Sequence, residues 1–283
     1  MENHIVLAPE ILAYLGPIPI SNTLLVSLAV SLILIILGSL AMWRASIVPK
    51  GLQNFFEMVL EGGYTLVEDL AGSKSKVIFP IVMTFFLFII SANLLGLFPG
   101  FGTIKVQPWT AGGEDKYLEE HKEEVAKESE VSKVTNEKKP ETAAAGHEEK
   151  VPLLRSINSD LNMTLALALI SAVATHFLAI RYLGIFDYLR KWFSLNPIMF
   201  FIGMLEIISE ITKVVSLSFR LFGNIFAGEV VLTTVSTLSP FTAFFVPLPF
   251  YLLELIVAFV QAAVFMMLTL VFMVLLSEKH ESH

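Results

Sequence analysis

Cysteine is absent from the 283 residues. That excludes disulfides, thiolate metal sites and thiol catalysis. Charge is scarce: 16% of residues are Asp, Glu, Lys or Arg, against about a quarter in an ordinary soluble domain. No Lys/Arg-rich patch of the kind that grips nucleic acid occurs. No Gly-rich loop leading into Lys-Ser/Thr occurs either, so no phosphate-loop nucleotide site is expected in this chain. No repeated halves are visible, which argues against a secondary transporter, a fold class usually built from them.

Apolar sequence fills the space. Hydrophobic residues make up 55% of the chain, with mean hydropathy +0.71. The few charges are also unevenly spread. Residues 114–150 hold 12 of the 26 acids and 7 of the 19 Lys and Arg, so the net charge of −7 mostly describes that block and says little about partners. The block has no aromatic beyond Tyr117 and no apolar stripe, as expected of a solvated loop.

A membrane span needs about 20 apolar residues. Three ordinary spans are expected at 23–44, 77–101 and 159–182, each ending near a charge or a Pro-Gly pair. Met1-Glu2-Asn3-His4 lacks a basic n-region, so the first apolar run is expected to stay as a membrane helix. Residues 50–72 alternate Leu52, Phe55, Phe56, Val59 and Leu60 with Glu57 and Glu61. That is helical amphipathic spacing, interrupted by Gly62-Gly63, and suits a surface helix pair or a long helix extension. From 195 to 277 the chain is apolar, broken only around Pro240 and Pro247-Leu248-Pro249, which cannot continue a helix. Two long helices follow, about 197–237 and 248–277. At 1.5 Å per residue the first runs about 60 Å, twice the hydrocarbon thickness, so it is expected to be strongly tilted, bent or partly on the surface. The fold class expected is all-α: a polytopic membrane protein of about five transmembrane helices plus an amphipathic surface helix, closed by a long tilted hairpin at 195–277. Residues 1–22 form an outer-side N-terminal segment and 102–158 a polar outer loop. If the spans alternate, Arg44, Lys50, Lys74, Lys76, Arg181, Arg190 and Lys191 fall on one side and Lys105 and Arg155 on the other. The positive-inside rule makes the first side cytoplasmic, together with the C-terminus.

The last two helices carry charge where lipid tolerates little. Glu206, Glu210, Lys213, Leu217, Arg220 and Asn224 are spaced 4, 3, 4, 3, 4. On a helix they fall within about 40° of one line. Glu229 points to nearly the opposite side, about 13 Å further along. On the final helix Glu254, Ala258, Gln261 and Phe265 share a face, and Glu254 sits in a long uncharged run. Each such charge costs at least ~2.5–3.5 kcal/mol at mid-depth. Plain structural roles compete with functional ones. Glu206, Glu210 and Lys213 suit an interfacial salt-bridge set; Arg220 suits an internal bridge to Glu229 or Glu254; Asn224 and Gln261 suit helix-joining amides. Functionally, arginine stays protonated and cannot relay protons, but it can attract a carboxylate and block leakage past itself. A glutamate can relay. An arginine between carboxylates on different faces is what two separated aqueous half-channels need.

Ser216-Leu-Ser-Phe-Arg220-Leu-Phe-Gly-Asn224-Ile-Phe-Ala-Gly-Glu229 closely resembles the signature of subunit a of F-type ATP synthases. In the same order come Phe88-Ile-Ile-Ser-Ala-Asn93-Leu-Leu-Gly96-Leu-Phe-Pro99, then Asp160-Leu-Asn162-Met-Thr164-Leu-Ala-Leu, then Glu254 with Gln261 seven residues on. The resemblance implies a non-catalytic stator subunit of a cell inner membrane, packed in the lipid bilayer against a ring of c subunits and b-type peripheral stalk subunits. It would bind no cofactor, metal, nucleotide or nucleic acid. Protons would enter one half-channel, neutralise a ring carboxylate and leave by the other after nearly a full rotation. Arg220 matches the essential arginine that faces that carboxylate, with Asn224 one turn on and Gln261 packed nearby. Glu229 and Glu254 match the polar pair of the outer half-channel. Asn93, Asp160 and Asn162 match polar positions on neighbouring helices, and Glu210 and Lys213 extend the channel lining. Whether the ion is a proton or sodium rests, in this family, mainly with the ring. The 111–150 insert is longer and more polar than most members show.

Overall fold

A computed structural model describes residues 11–15, 18–43, 45–98, 105–106, 151–152, 155–186, 188, 197–237 and 247–277. The 111–150 insert, Arg44, Arg190, Lys191 and the Pro240 break lie outside the described residues. Within them the protein is all-α and polytopic. A short antiparallel hairpin, β1 (Ile11–Leu15) and β2 (Ile18–Ser21), leads into α1 (Asn22–Met42). Then come α2 (Leu52–Ala71), α3 (Ser75–Gly96), α4 (Leu161–Leu183), α5 (Pro197–Thr237) and α6 (Pro247–Ser277). Between α3 and α4, Lys105–Val106 pairs with Val151–Pro152, and a 3₁₀ turn, Ile157–Ser159, precedes α4. Among the described residues, five helical stretches are long and apolar enough to cross a membrane: Asn22–Met42, Leu52–Gly96, Leu161–Leu183, Gly203–Val235 and Pro247–Ser277.

Local chemistry sets the boundaries. The Ser21 hydroxyl accepts the Leu24 N–H at 3.2 Å and caps α1. Asp160 caps α4 by accepting the Asn162 N–H at 2.9 Å, satisfying a donor that a helix start leaves orphaned. Gly184, at φ +86°, ends α4 while its N–H returns to the Ile180 carbonyl; only glycine takes that backbone without strain. Pro197 and Pro247 open α5 and α6, where a missing N–H is harmless.

One expectation changes. The Gly62-Gly63 pair does not interrupt α2, which runs unbroken through both. Gly63 is buried against α3: a Cβ there would sit 2.8 Å from the Met83 sulfur. The glycine serves close approach of the two helices, and the bend falls later, at Gly72 (φ +53°) and the 3₁₀ turn Gly72–Lys74.

Helices α3 and α6 form the middle of the packing. Ile78, Val82 and Met83 of α3 meet Met266, Leu270 and Met273 of α6, with Val67 of α2 and Leu178 of α4. Further along, Phe85 and Ile89 of α3 pack with Phe265 and Ala262 of α6, Ala168 of α4, and Leu217 and Leu221 of α5. Hydroxyl pairs tie the helices where lipid offers no hydrophobic driving force: Ser171 to Thr269 at 2.9 Å and Thr164 to Ser218 at 3.2 Å. The helix ends sort into two groups. The Lys74 ammonium donates to the Ser277 carbonyl at 2.8 Å and lies over the Tyr182 ring, so the start of α3 and the ends of α4 and α6 share one side. On the other side Thr23 of α1 donates to Asp160 at 2.8 Å, and Asn158 donates to Asn93 of α3 at 2.6 Å. α5 therefore runs from the Lys74 side to the Asp160 side, and α6 runs back.

Candidate ion-translocation site

α5 carries the site because it presents polar residues on a face that no other described helix covers. Ser209, Thr212, Ser216, Arg220 and Asn224 are all exposed, while Leu217, Ser218, Leu221 and Ile225 turn inward. Leu217, which shares the sequence-level stripe, is thus part of the core; the stripe straddles the edge of the bundle. The Arg220 guanidinium makes one long contact, Nη2 to the Ser216 hydroxyl at 3.5 Å. Among the described residues it has no carboxylate partner. The internal bridge to Glu229 or Glu254 is therefore not formed.

On the Lys74 side of Arg220 lies an open cavity of about 310 Å³. Ser209, Thr212, Lys213, Ser216 and Arg220 give it a polar wall, and Leu268 and Phe272 of α6 an apolar one. Lys213 donates to Glu210 at 2.6 Å, and its ammonium lies 4.8 Å from the centre of the Phe272 ring. The i,i+3 pair holds Lys213 at the cavity wall.

On the Asp160 side the groups differ. One turn past Arg220, Asn224 donates to the Gln261 carbonyl oxygen at 2.8 Å, clasping α5 to α6. The Gln261 side chain is buried, and its own Nε2 has no hydrogen-bond partner among the described residues. A turn further, the Glu254 carboxylate is pressed against Gly228 so closely that a Cβ at 228 would collide with it. Glu254 is 6% exposed. Neighbouring Glu229 has one carboxylate oxygen, Oε2, buried and without a hydrogen-bond partner among the described residues; such an atom costs free energy unless water satisfies it. Eight or nine residues separate Arg220 from Gly228 and Glu229, about 12–13 Å along the axis.

The remaining candidates sit around this end. Asn93, buried, accepts from Asn158 and reaches the Ala258 carbonyl, one turn from Glu254, at 3.4 Å. Asp160, also buried, uses one oxygen to cap α4 and the other to accept Thr23. The side chain of Asn162 is exposed on the outside of the chain. Asn93 and Asp160 thus join α1, α3, α4 and α6, while Asn162, with its side chain exposed, is not brought to Glu229 or Glu254 among the described residues. Sequence reasoning passed over Thr23, Asn158 and Gly228. Gly228 stood inside the quoted motif, and its small size beside Glu229 was the available signal.

This geometry defines a class: a multi-pass helical membrane protein with a permanent cation on the uncovered face of a long helix, a polar cavity on one side of it and buried carboxylates on the other. Comparison supplies the family. The family model described as ATP synthase A chain matches residues 24–274. The chain is 33% identical over 243 residues to ATP synthase subunit a of Geobacter sulfurreducens, covering 84% of this chain and 80% of that one. It is 30% identical over 264 residues to ATP synthase subunit a of Moorella thermoacetica, covering 93% and 94%. The corresponding protein of Trichlorobacter lovleyi is 30% identical over 256 residues. The chain belongs to the ATP synthase A chain family.

Proposed function

We propose that this chain is the non-catalytic stator of a proton-translocating F-type ATP synthase, with two aqueous half-channels that meet a ring of c subunits at Arg220. One observation carries the reading: Arg220 is exposed along a spanning helix and unpaired by any described carboxylate of its own chain. A charge left facing hydrocarbon costs at least ~2.5–3.5 kcal/mol, so an acid from outside the chain must answer it. A passing ring carboxylate does so. The fixed cation favours that carboxylate in its charged form, so its proton is released before it passes and regained after.

The cavity of Lys213 and Ser216 serves as the half-channel on the Lys74 side. Glu229, Glu254 and Gln261 serve the other. Asn224 holds α5 to α6 between the two, so neither opens directly into the other. Lys50, Lys74, Lys76 and Arg181 favour the Lys74 side as cytoplasmic, with the C-terminus, in a cell inner membrane. Peripheral stalk subunits and lipid would cover the remaining apolar surface.

The experiment is ATP-driven proton pumping by the whole complex in vesicles. Arg220→Ala and Arg220→Gln are expected to abolish coupled pumping while the complex still assembles. Pumping near the wild-type level would overturn the reading. The sodium-translocating version of the subunit is separated by the same assay: pumping that needs added sodium and resists protonophore favours it over protons.

A further inference from the structure

We propose that His176 and Tyr188 form a proton-acceptor station beyond the Glu210–Lys213 pair that borders the cavity, taking protons from the Glu210 region and handing them to water. The inference rests on the reading that protons pass along α5, and it adds residues that no motif of the family resemblance contains.

His176 lies on α4 seven residues before its end, about 10 Å in from it. Its Nδ1 is 3.0 Å from the Tyr188 hydroxyl, and the two rings meet edge to face with centroids 6.2 Å apart. The turn at Gly184 makes this possible. The chain leaves α4 there, and the Tyr188 N–H returns to the Gly184 carbonyl at 3.0 Å, which folds the tyrosine back over the helix. Both side chains are half-buried. The carboxylates of Glu206 and Glu210 on α5 act on Tyr188; Glu210 in turn holds Lys213 at 2.6 Å, and Lys213 lines the cavity running to Arg220. A chain of polar groups therefore leads from the cavity to α4.

The surrounding charges suit the task. Burial raises the Tyr188 pKa, and the Glu210 and Glu206 carboxylates raise it further. The phenol stays neutral, able to pass a proton without ionising. The charged and titratable groups around the pair are Glu206 and Glu210 of α5, which act on Tyr188, Lys213 beside Glu210, Arg181 and Tyr182 further along α4, and Lys74 over the Tyr182 ring. α6 brings no titratable residue between Leu255 and Ser277. Imidazole is the one group in this set whose ordinary pKa lies near neutrality. The starting tautomer is Nε2–H with Nδ1 accepting from the phenol. In the step, a proton brought by water from the Glu210–Lys213 end moves to the Tyr188 oxygen as the Tyr188 proton moves to His176 Nδ1. The Nε2 proton then leaves to water, which leaves neutral tyrosine and the Nδ1–H tautomer; rotation of the imidazole ring, or return of the Nδ1 proton through the phenol as Nε2 regains one from water, resets the pair for the next proton.

The test is passive proton conductance of the reconstituted complex as a function of pH. His176→Leu and Tyr188→Phe are each expected to lower conductance about tenfold near pH 7 and to flatten its pH dependence; the loss is smaller than the roughly hundredfold of a sole proton-transfer group because water serves the cavity in parallel. Tyr188→Phe keeps the ring packing, so packing alone would leave its profile unmoved. His176→Ala is expected to regain conductance when imidazole is added on the Lys74 side. If Arg220→Gln stops coupled pumping but the His176 and Tyr188 variants keep the wild-type pH profile, this inference fails and the proposed function stands. If His176→Ala is impaired and imidazole restores nothing, the pair is structural and the inference also fails. If Arg220→Gln pumps normally, the parent reading fails and takes this one with it.

Discussion

At Gly228 the backbone of α5 comes so close to the Glu254 carboxylate that a methyl group has no room. The neighbours of this glycine are helical, so it is there for size and not for an unusual backbone. Gly228→Ala must push the carboxylate aside or spread α5 from α6. Proton conductance is expected to fall at least tenfold while the complex still assembles, and Gly228→Val to fall further; conductance assays on both variants, with native-gel assembly as control, check it. Undiminished conductance in Gly228→Val would detach this contact from the pathway. The Asn224–Gln261 bond is a second residue-scale test. A hydrogen bond of this kind contributes about 0.5–1.5 kcal/mol net, and removing Asn224 leaves a buried amide doubly unpartnered. A double-mutant cycle of Asn224→Ala and Gln261→Ala, read by detergent denaturation, is expected to show a positive coupling energy of that size. These pairings were only partly legible in the sequence. The 4-3 spacing puts Arg220 and Asn224 on one line. It cannot tell which of two neighbouring stripe residues faces a partner helix, and so Leu217 turned inward.

Among the elements, α4 depends most on one side chain. Asp160 caps it and also receives the Thr23 hydroxyl of α1. Asp160→Ala loses the cap, worth about 0.5–2 kcal/mol, and leaves Thr23 without its acceptor. Asp160→Asn retains an oxygen for one of the two bonds. The alanine variant is expected to unfold at lower denaturant than the asparagine variant; equal midpoints would show that neither bond matters to stability. Helix types and apolar lengths could be read from the sequence because lipid demands long uncharged runs. The end of α2 could not. Gly62-Gly63 looks like a break by propensity, yet Gly63 packs on Met83 and Phe79, a tertiary contact that propensity does not contain. The hydroxyl pairs Ser171–Thr269 and Thr164–Ser218 were equally hidden, since small polar residues occur on many apolar helices without partners.

At the scale of the whole molecule, the exposed polar row of α5 implies a partner across it. The absence of native cysteine makes this simple to probe. On the proposed function, a single cysteine at Ser216 or Asn224 is expected to form a disulfide with a cysteine placed on the outer helix of a c ring, and one at Leu221 or Ile225 to form none. Cross-linking from the buried positions, or silence from the exposed ones, would contradict the assigned face. The buried share of each candidate span points the same way: only 22–39% of the best apolar window of each is covered by the chain itself.

That uncovered guanidinium also bears on biogenesis. On the proposed function, a newly inserted copy that has not met its ring holds a permanent charge against acyl chains, and the bilayer must thin or admit water to tolerate it. The unassembled subunit is then expected to be less stable than the assembled one, which denaturation of the chain with and without its complex would read.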